Sequence, residues 1–301
     1  MSAAAALPNS AYTAPVDPPI RLTLPTGPRG GLVVSSPHSG AEYPAEFRAA
    51  SQLDPLTLRR SEDAFVHELV AAAPGLGAPL LEALFPRAYC DPNREAYELD
   101  PAMFAEALPD HVTTKSSKIS AGLGTIAKVV SGGQEIYRHK LPFAEAERRI
   151  ETLWRPYHAA LRQLLDAAHE AAGVALLLDC HSMPSVGGAN MPDHGQRRAD
   201  MVLGDFHGVS CPERLVQRVE TYLAERGFQV ARNKPYAGGY ITQHYTRREA
   251  GFHTLQIEIN RDLYMDETLI QHGPGFERVR AAMTGLIELL AGSAVPDFLN
   301  S

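Results

Sequence analysis

From about Pro19 onward, short apolar runs alternate with longer stretches in which apolar residues recur at helical spacing. Residues 21–24, 31–35, 79–84, 174–179, 228–231 and 254–260 have strand length and predict β-strands. Residues 61–73, 144–172, 210–226 and 276–290 predict helices between them. Ser61 followed by two acids suits a helix start. In the 144–172 stretch, Ile150, Trp154, Tyr157, Leu161, Leu164 and Leu165 share one face, and Pro156 predicts a kink. Ser210-Cys211-Pro212-Glu213 reads as a capping box with proline in the first turn. Strands alternating with helices predict an α/β fold of three layers, with a mixed, mainly parallel sheet flanked by helices. One domain is expected over residues 20–301, preceded by a flexible Ala/Pro/Ser-rich arm over 1–19. The stretch 110–133, rich in Lys, Ser and Gly, is the least regular and suits a lid or an inserted hairpin.

Three of these strands end in residues that bear chemistry. The run Leu176-Leu177-Leu178 leads into Asp179-Cys180-His181-Ser182, which presents an imidazole at a strand end. Asp179, two residues earlier, lies on the same face and could orient a neighbouring group. His38 follows the 31–35 strand in SSPHSG, where Pro37 and Gly40 frame a turn. Open α/β sheets bind ligands beyond the carboxyl ends of their strands, so both histidines point to one place. A catalytic zinc takes three protein ligands and leaves one position open, which calls for a third donor. Glu62 and Asp63 both suit it, although acids at a helix start also favour the helix dipole with no metal. The sequence does not choose between them; Asp63 is the preferred candidate.

Glu258 lies in TLQIEIN, where Leu255, Ile257 and Ile259 face one way and Thr254, Gln256, Glu258 and Asn260 the other. Such a strand is either half-exposed or lines a site, and Asn260, Arg261 and Asp262 continue the polar run. Arg94, Arg247, Arg248 and Arg261 are candidates for holding an anionic substrate, because a guanidinium grips a carboxylate through two bonds. Gly238-Gly239 reads as a tight turn, either close to a ligand or part of an ordinary hairpin.

Composition narrows the classes. A chain of 301 residues with 45% hydrophobic content can bury a large core. A net charge of -7 argues against nucleic acid or an anionic membrane surface as partner, and no apolar run reaches the ~20 residues of a membrane span. The first residues lack the basic start and apolar centre of a signal peptide. Cys90, Cys180 and Cys211, odd in number and without CxxC spacing, predict a reduced cytoplasmic chain. GxSxG, Walker and HExxH motifs are absent.

The segments SSPHSGAEYP, YCDPNRE, GLGTIAKVVSGGQEIYRHKL, LLLDCHSMPS, RRADMVLGDFHGVSC, NKPYAGGYITQHY and LQIEINRDLYMDE run in order from about Gly31 to Glu267. Together they resemble the N-formylglutamate amidohydrolase family. The resemblance implies a zinc-carboxypeptidase-like fold. It also implies Zn2+-dependent hydrolysis of N-formyl-L-glutamate, a small anionic N-acyl amino acid, to formate and L-glutamate in histidine degradation. It gives His38, Asp63 and His181 the part of metal ligands and Glu258 that of general base. Asn93 and Arg94 match a pair that holds a substrate carboxylate, and Arg247 and Arg261 are further substrate-binding candidates. One feature departs from the peptidase pattern: Ser39, Gly40 and Ala41 supply no acidic ligand after His38, and Glu42 is one residue too far. Two other readings remain: a zinc amidase or carboxypeptidase for other N-acyl amino acids or peptides, and a non-catalytic binder of acidic ligands. The same ligands suit cobalt or manganese, and oligomeric state stays open.

Overall fold

A computed structural model of the chain describes residues 15–27, 30–189 and 191–292. Its main sheet contains β1 (Ile20–Thr23), β2 (Leu32–Ser36), β3 (Leu80–Ala83), β4 (Ala175–Met183), β5 (Met201–Gly204), β6 (Val230–Arg232) and β7 (Phe252–Asn260). Their order is β1-β3-β2-β4-β7-β5-β6. The four strands β3, β2, β4 and β7 run parallel, while β1 joins β3 and β5 joins β7 antiparallel. A small ribbon pairs β8 (Met265–Asp266) with β9 (Gln271–His272). The helices are α1 (Ala45–Ala50), α2 (Pro55–Leu58), α3 (Val66–Leu69), α4 (Ser117–Ser120), α5 (Phe143–Arg149), α6 (Arg155–Ala172), α7 (Glu213–Ala224), α8 (Tyr240–Tyr245) and α9 (Phe276–Ala291).

A parallel sheet needs both faces covered, and here each face has its own core. Leu176, Leu178, Cys180, Leu255, Ile257 and Ile259 pack with apolar residues of α3, α7 and α9. Val33, Leu177 and Leu81 face the other way, onto Tyr157, Leu161 and Leu165 of α6. The two central strands are each nine residues long, wholly buried, and paired from Ala175↔Phe252 to Met183↔Asn260. The polar face of β7 is therefore buried, not half-exposed. The mixed, mainly parallel sheet flanked by helices is the architecture expected from the alternation of patterns. Among the described residues no helix is long and apolar enough to cross a membrane.

Several elements differ from expectation, each for a local reason. The helix expected over 61–73 shrinks to α3, preceded by a 3-10 turn at Arg59–Ser61 and by Phe65 at φ 65°. Asp63 N donates to His38 O at 3.0 Å, which holds the chain extended where the helix would have begun. Ser61 caps nothing; its Oγ accepts from Ser131 N at 2.9 Å. The capping box at Ser210 is not formed either, because Ser210 Oγ donates to Thr254 O at 2.6 Å and α7 opens at Glu213. The long helix expected over 144–172 is interrupted by a π turn at Ile150–Trp154 between α5 and α6, which places Pro156 in the first turn of α6. Strand β4 runs on through His181, so that histidine lies within a strand. β5, four residues between two polar stretches, was too short to show as a pattern.

Residues 1–14 of the expected arm lie outside the described residues. Of its last five, Val16 and Pro19 are buried, Asp17 and Pro18 are exposed, and Pro19 O accepts from Leu84 N at 3.0 Å. The stretch 110–133 contains α4 and a Val129↔Glu135 bridge. It also walls the site, with Thr125 O accepting from Asp91 N at 2.8 Å and Leu123 O from Arg94 Nε at 2.8 Å.

Candidate active site

The carboxyl ends of β2, β4 and β7 bring together three side chains from distant parts of the sequence. His38 follows β2, where Gly40 permits a close turn: a Cβ there would lie 2.2 Å from Phe85 O. His181 sits in β4 directly beside Glu258 of β7, its register partner. His38 Nδ1, His181 Nδ1 and Asp63 Oδ2 form a triangle with edges of 3.1, 3.1 and 3.3 Å. All three residues are buried.

The donor set fits a metal ion on two grounds. Tetrahedral zinc bonded to N and O at about 2.0–2.1 Å sets neighbouring donors about 3.3 Å apart, close to the edges found here. The second ground is the tautomer. His38 Nε2 lies 2.7 Å from Asp91 Oδ1 and His181 Nε2 lies 2.9 Å from Asp179 Oδ2. A carboxylate only accepts, so each Nε2 carries the proton and each Nδ1 offers a lone pair to the centre of the triangle. Three converging electron-rich atoms repel one another unless a cation lies between them. The surroundings favour positive charge at this point: burial opposes charge on His181, yet Asp179, Asp63 and Glu258 pull its pKa well above the usual histidine range, so a bound metal takes the place of a proton on its Nδ1.

A ring of polar residues holds the donors. Ser35 Oγ donates to Asp179 Oδ1 at 2.7 Å. Arg87 Nη2 donates to Asp91 Oδ2 at 3.0 Å, and Asn93 N donates to Asp91 Oδ1 at 2.8 Å. Arg261 Nη2 donates to Asp63 Oδ1 at 3.0 Å. Burial alone would raise both carboxyls. Arg87, His38 and Arg94 hold Asp91 well below the carboxylate range, and the contacts with His181 and His38 together with the charge of Arg87 do the same for Asp63.

Glu258 behaves differently. Burial, with repulsion from Asp63, pushes it up to about 7 against the pull of His181, Arg87 and Arg261. Gln256 Nε2 donates to its Oε1 at 3.0 Å. It is thus a carboxylate balanced near neutrality beside the donor triangle, suited to taking and returning a proton.

The Glu62 carboxylate is clamped by Arg59 at 2.9 and 3.0 Å and is not part of the donor triangle. Asn93 is brought in: its Oδ1 accepts from Ile241 N at 2.8 Å and its Nδ2 lies 3.4 Å from His181 Nε2. Gly239 packs against this amide, so the Gly238-Gly239 pair makes a close approach to Asn93 just before α8 rather than a hairpin. Arg94 is buried, with Nε and Nη1 on backbone carbonyls and Nη2 4.0 Å from Asp91. Two arginines are placed otherwise than expected. The guanidinium of Arg261 is committed to Asp63, Ser182 Oγ and Arg60 O, so it braces a ligand. Arg247 is exposed at the opposite end of β7, its guanidinium 4.4 Å over the Phe252 ring.

The sequence pattern singles out neither Arg87, Asp91 nor Lys118, and gives Gln256 only a place on the polar face of β7. Asp91 stands two residues before Asn93, and that spacing is the available signal. Lys118 carries no such mark. It stands exposed on α4, where desolvation and then the charges of Arg94 and Arg87 lower its ammonium pKa.

Residues 30–265 match the family model described as N-formylglutamate amidohydrolase, so the chain belongs to that family of amide hydrolases. Particular relatives agree. N-formylglutamate deformylase of Pseudomonas putida is 31% identical over 244 residues, covering 79% of this chain and 82% of the relative. The Pseudomonas aeruginosa enzyme of the same name is 29% identical, over 86% of this chain and 92% of its own. The crystal structure of N-formylglutamate amidohydrolase from Ralstonia eutropha JMP134 superposes with a TM-score of 0.84 at 37% identity, covering 94% of this chain and 98% of that one.

Proposed function

We propose that this chain is a zinc-dependent N-formyl-L-glutamate deformylase of histidine degradation. The observation that carries this reading is the donor triangle of His38, Asp63 and His181 beside Glu258, in a chain whose relatives are named N-formylglutamate deformylases. Bound by those three residues, zinc would polarise the formyl oxygen and bring the pKa of a water from ~15.7 toward ~7. Glu258 takes the proton of the attacking water and returns it to the nitrogen of the departing glutamate. Arg87, beside Asp63 and within electrostatic reach of Glu258, stabilises the charge that develops on the formyl oxygen. Asn93 Nδ2 and Arg94 hold one substrate carboxylate, and Lys118 answers the second. Arg261 keeps Asp63 in place. Arg247 takes no part. The three buried free thiols suit a reducing cytoplasm.

The test is kcat/KM of the zinc-reconstituted chain on N-formyl-L-glutamate, N-acetyl-L-glutamate and N-formyl-L-alanine. A clear preference for the first is expected. Equal rates on N-formyl-L-alanine would remove the dicarboxylate pocket, and no turnover of any with zinc bound would overturn the deformylase reading.

A further inference from the structure

Against the turn at residues 92–94 lies a cleft of about 390 Å³ that contains none of the metal donors. Its lining includes two stacked pairs. Trp154 and His158 have ring centroids 3.8 Å apart at 30°, and Tyr240 and His244 of α8 have centroids 4.8 Å apart at 18°. Both sides are tied to the same turn. Trp154 Nε1 donates to Arg94 O at 3.0 Å, His158 Nε2 to Pro92 O at 2.8 Å, and Ile241 N to Asn93 Oδ1 at 2.8 Å. Tyr245 and Arg162 also line the cleft.

Its charge is uncompensated. No acidic residue lines the cleft. Arg155, at its edge, is already paired with Glu151 at 2.5 Å. Arg162 has no carboxylate within ion-pair distance among the described residues. Its guanidinium lies 4.5 Å from the Tyr245 ring centroid, and its buried Nη1 has no hydrogen-bond partner. Burial drives His158 down to about 3 and lowers His244, so neither ring is charged near neutral pH. What remains is a lone cation among aromatic faces. A guanidinium shielded from water without a counter-ion is costly, aromatic faces favour a flat partner, and the volume lies within the ~300–1,000 Å³ of small-molecule sites.

We propose that this cleft is a second ligand site, for a small planar aromatic carboxylate whose ring packs on the partly exposed Tyr240 and His244 beside the edge of Trp154 and whose carboxylate pairs with Arg162. The occupant is distinct in chemistry from an aliphatic dicarboxylate, and the site does not depend on the reaction assigned above.

Trp154 is the chain's one tryptophan, so its emission reports occupancy without any turnover. The probe is benzoate, with benzamide as the uncharged analogue of the same shape, titrated into the full chain. A saturable change with benzoate is expected, with benzamide at least ten-fold weaker. Arg162→Gln should lower benzoate affinity at least ten-fold, and Arg162→Lys should recover part of it. Three results would overturn the proposal: no saturable change with benzoate, equal affinity for the two probes, or unaltered benzoate binding by Arg162→Gln. The last would assign benzoate to the cations beside the metal donors. Should Arg162→Gln fail to fold, the comparison of the two probes on the unaltered chain still decides.

Discussion

At the scale of single residues, carboxylates in one buried cluster do opposite work because their neighbours differ. Asp91 accepts from His38, Asp63 touches both imidazoles, and both acids lie near Arg87, which holds them ionised; Glu258 receives one neutral amide and is pushed up to about 7. Glu258→Gln keeps size and shape and removes the proton acceptor. It is expected to lower kcat by about 10²–10⁴ with zinc content and Tm unchanged, read by steady-state kinetics beside elemental analysis. Asp91 orients His38 without belonging to the donor triangle. Asp91→Asn should weaken zinc affinity about 10–100-fold, measured by competition with a chelator, and unchanged affinity would remove its orienting role. His38, His181 and Glu258 were legible because each stands at or just beyond a strand with a clear apolar pattern. The choice of Asp63 over Glu62 was not legible: Arg59 clamps one acid and Arg261 braces the other, and that second contact spans 198 positions.

At the scale of elements, strand register decides which polar residues meet. Parallel pairing of β4 with β7 sets Asp179 beside Gln256 and His181 beside Glu258, two neighbouring pairs on one face. A slip of one residue in either strand would turn its own two polar residues to the opposite face, which the apolar alternation there prevents. The turn after β2 depends on Gly40, whose missing Cβ lets the chain pass against Leu84 and Phe85. Gly40→Ala cannot be absorbed by a flexible side chain, since the nearest atoms are backbone. The expected result is a lower Tm together with lost zinc affinity, because His38 moves with the turn. A variant with normal Tm and normal zinc content would contradict this. The π turn before Pro156 was foreseen only as a kink. That it supports Arg94 through Trp154 depends on packing between segments 60 residues apart.

At the scale of the molecule, the sheet carries two cores, and its polar contents are concentrated at the carboxyl ends of the parallel strands. Buried neutral groups couple this architecture to pH. His158, between Tyr245 Oη at 2.9 Å and Pro92 O at 2.8 Å, titrates at about 3 in the folded chain because burial disfavours its charge. Its ordinary value is about 6.5, so below that the unfolded chain binds a proton that the folded chain refuses. Stability is therefore lost as pH falls from about 6.5 toward 3 and levels off below. Each unit in that window costs up to about 1.4 kcal/mol. Urea unfolding at pH 7 and pH 4.5 should show about 2–3 kcal/mol more acid loss for the unaltered chain than for His158→Gln, which does not titrate. Equal losses would place the acid sensitivity elsewhere.

Periodicity by itself determined the alternation of strands and helices, the two central strands and the two histidines with their glutamate. Apolar spacing is a local property and survives in any correctly folded context. Tertiary structure alone decided that Asp63 and not Glu62 meets the two histidines, that Arg261 is committed to Asp63, that Arg247 lies at the far end of β7, and that Arg87 and Asp91 gather around the triangle. A polar side chain takes its function from the charges it meets on folding, and those partners come from strands and loops scattered along the chain. No local pattern encodes such a meeting.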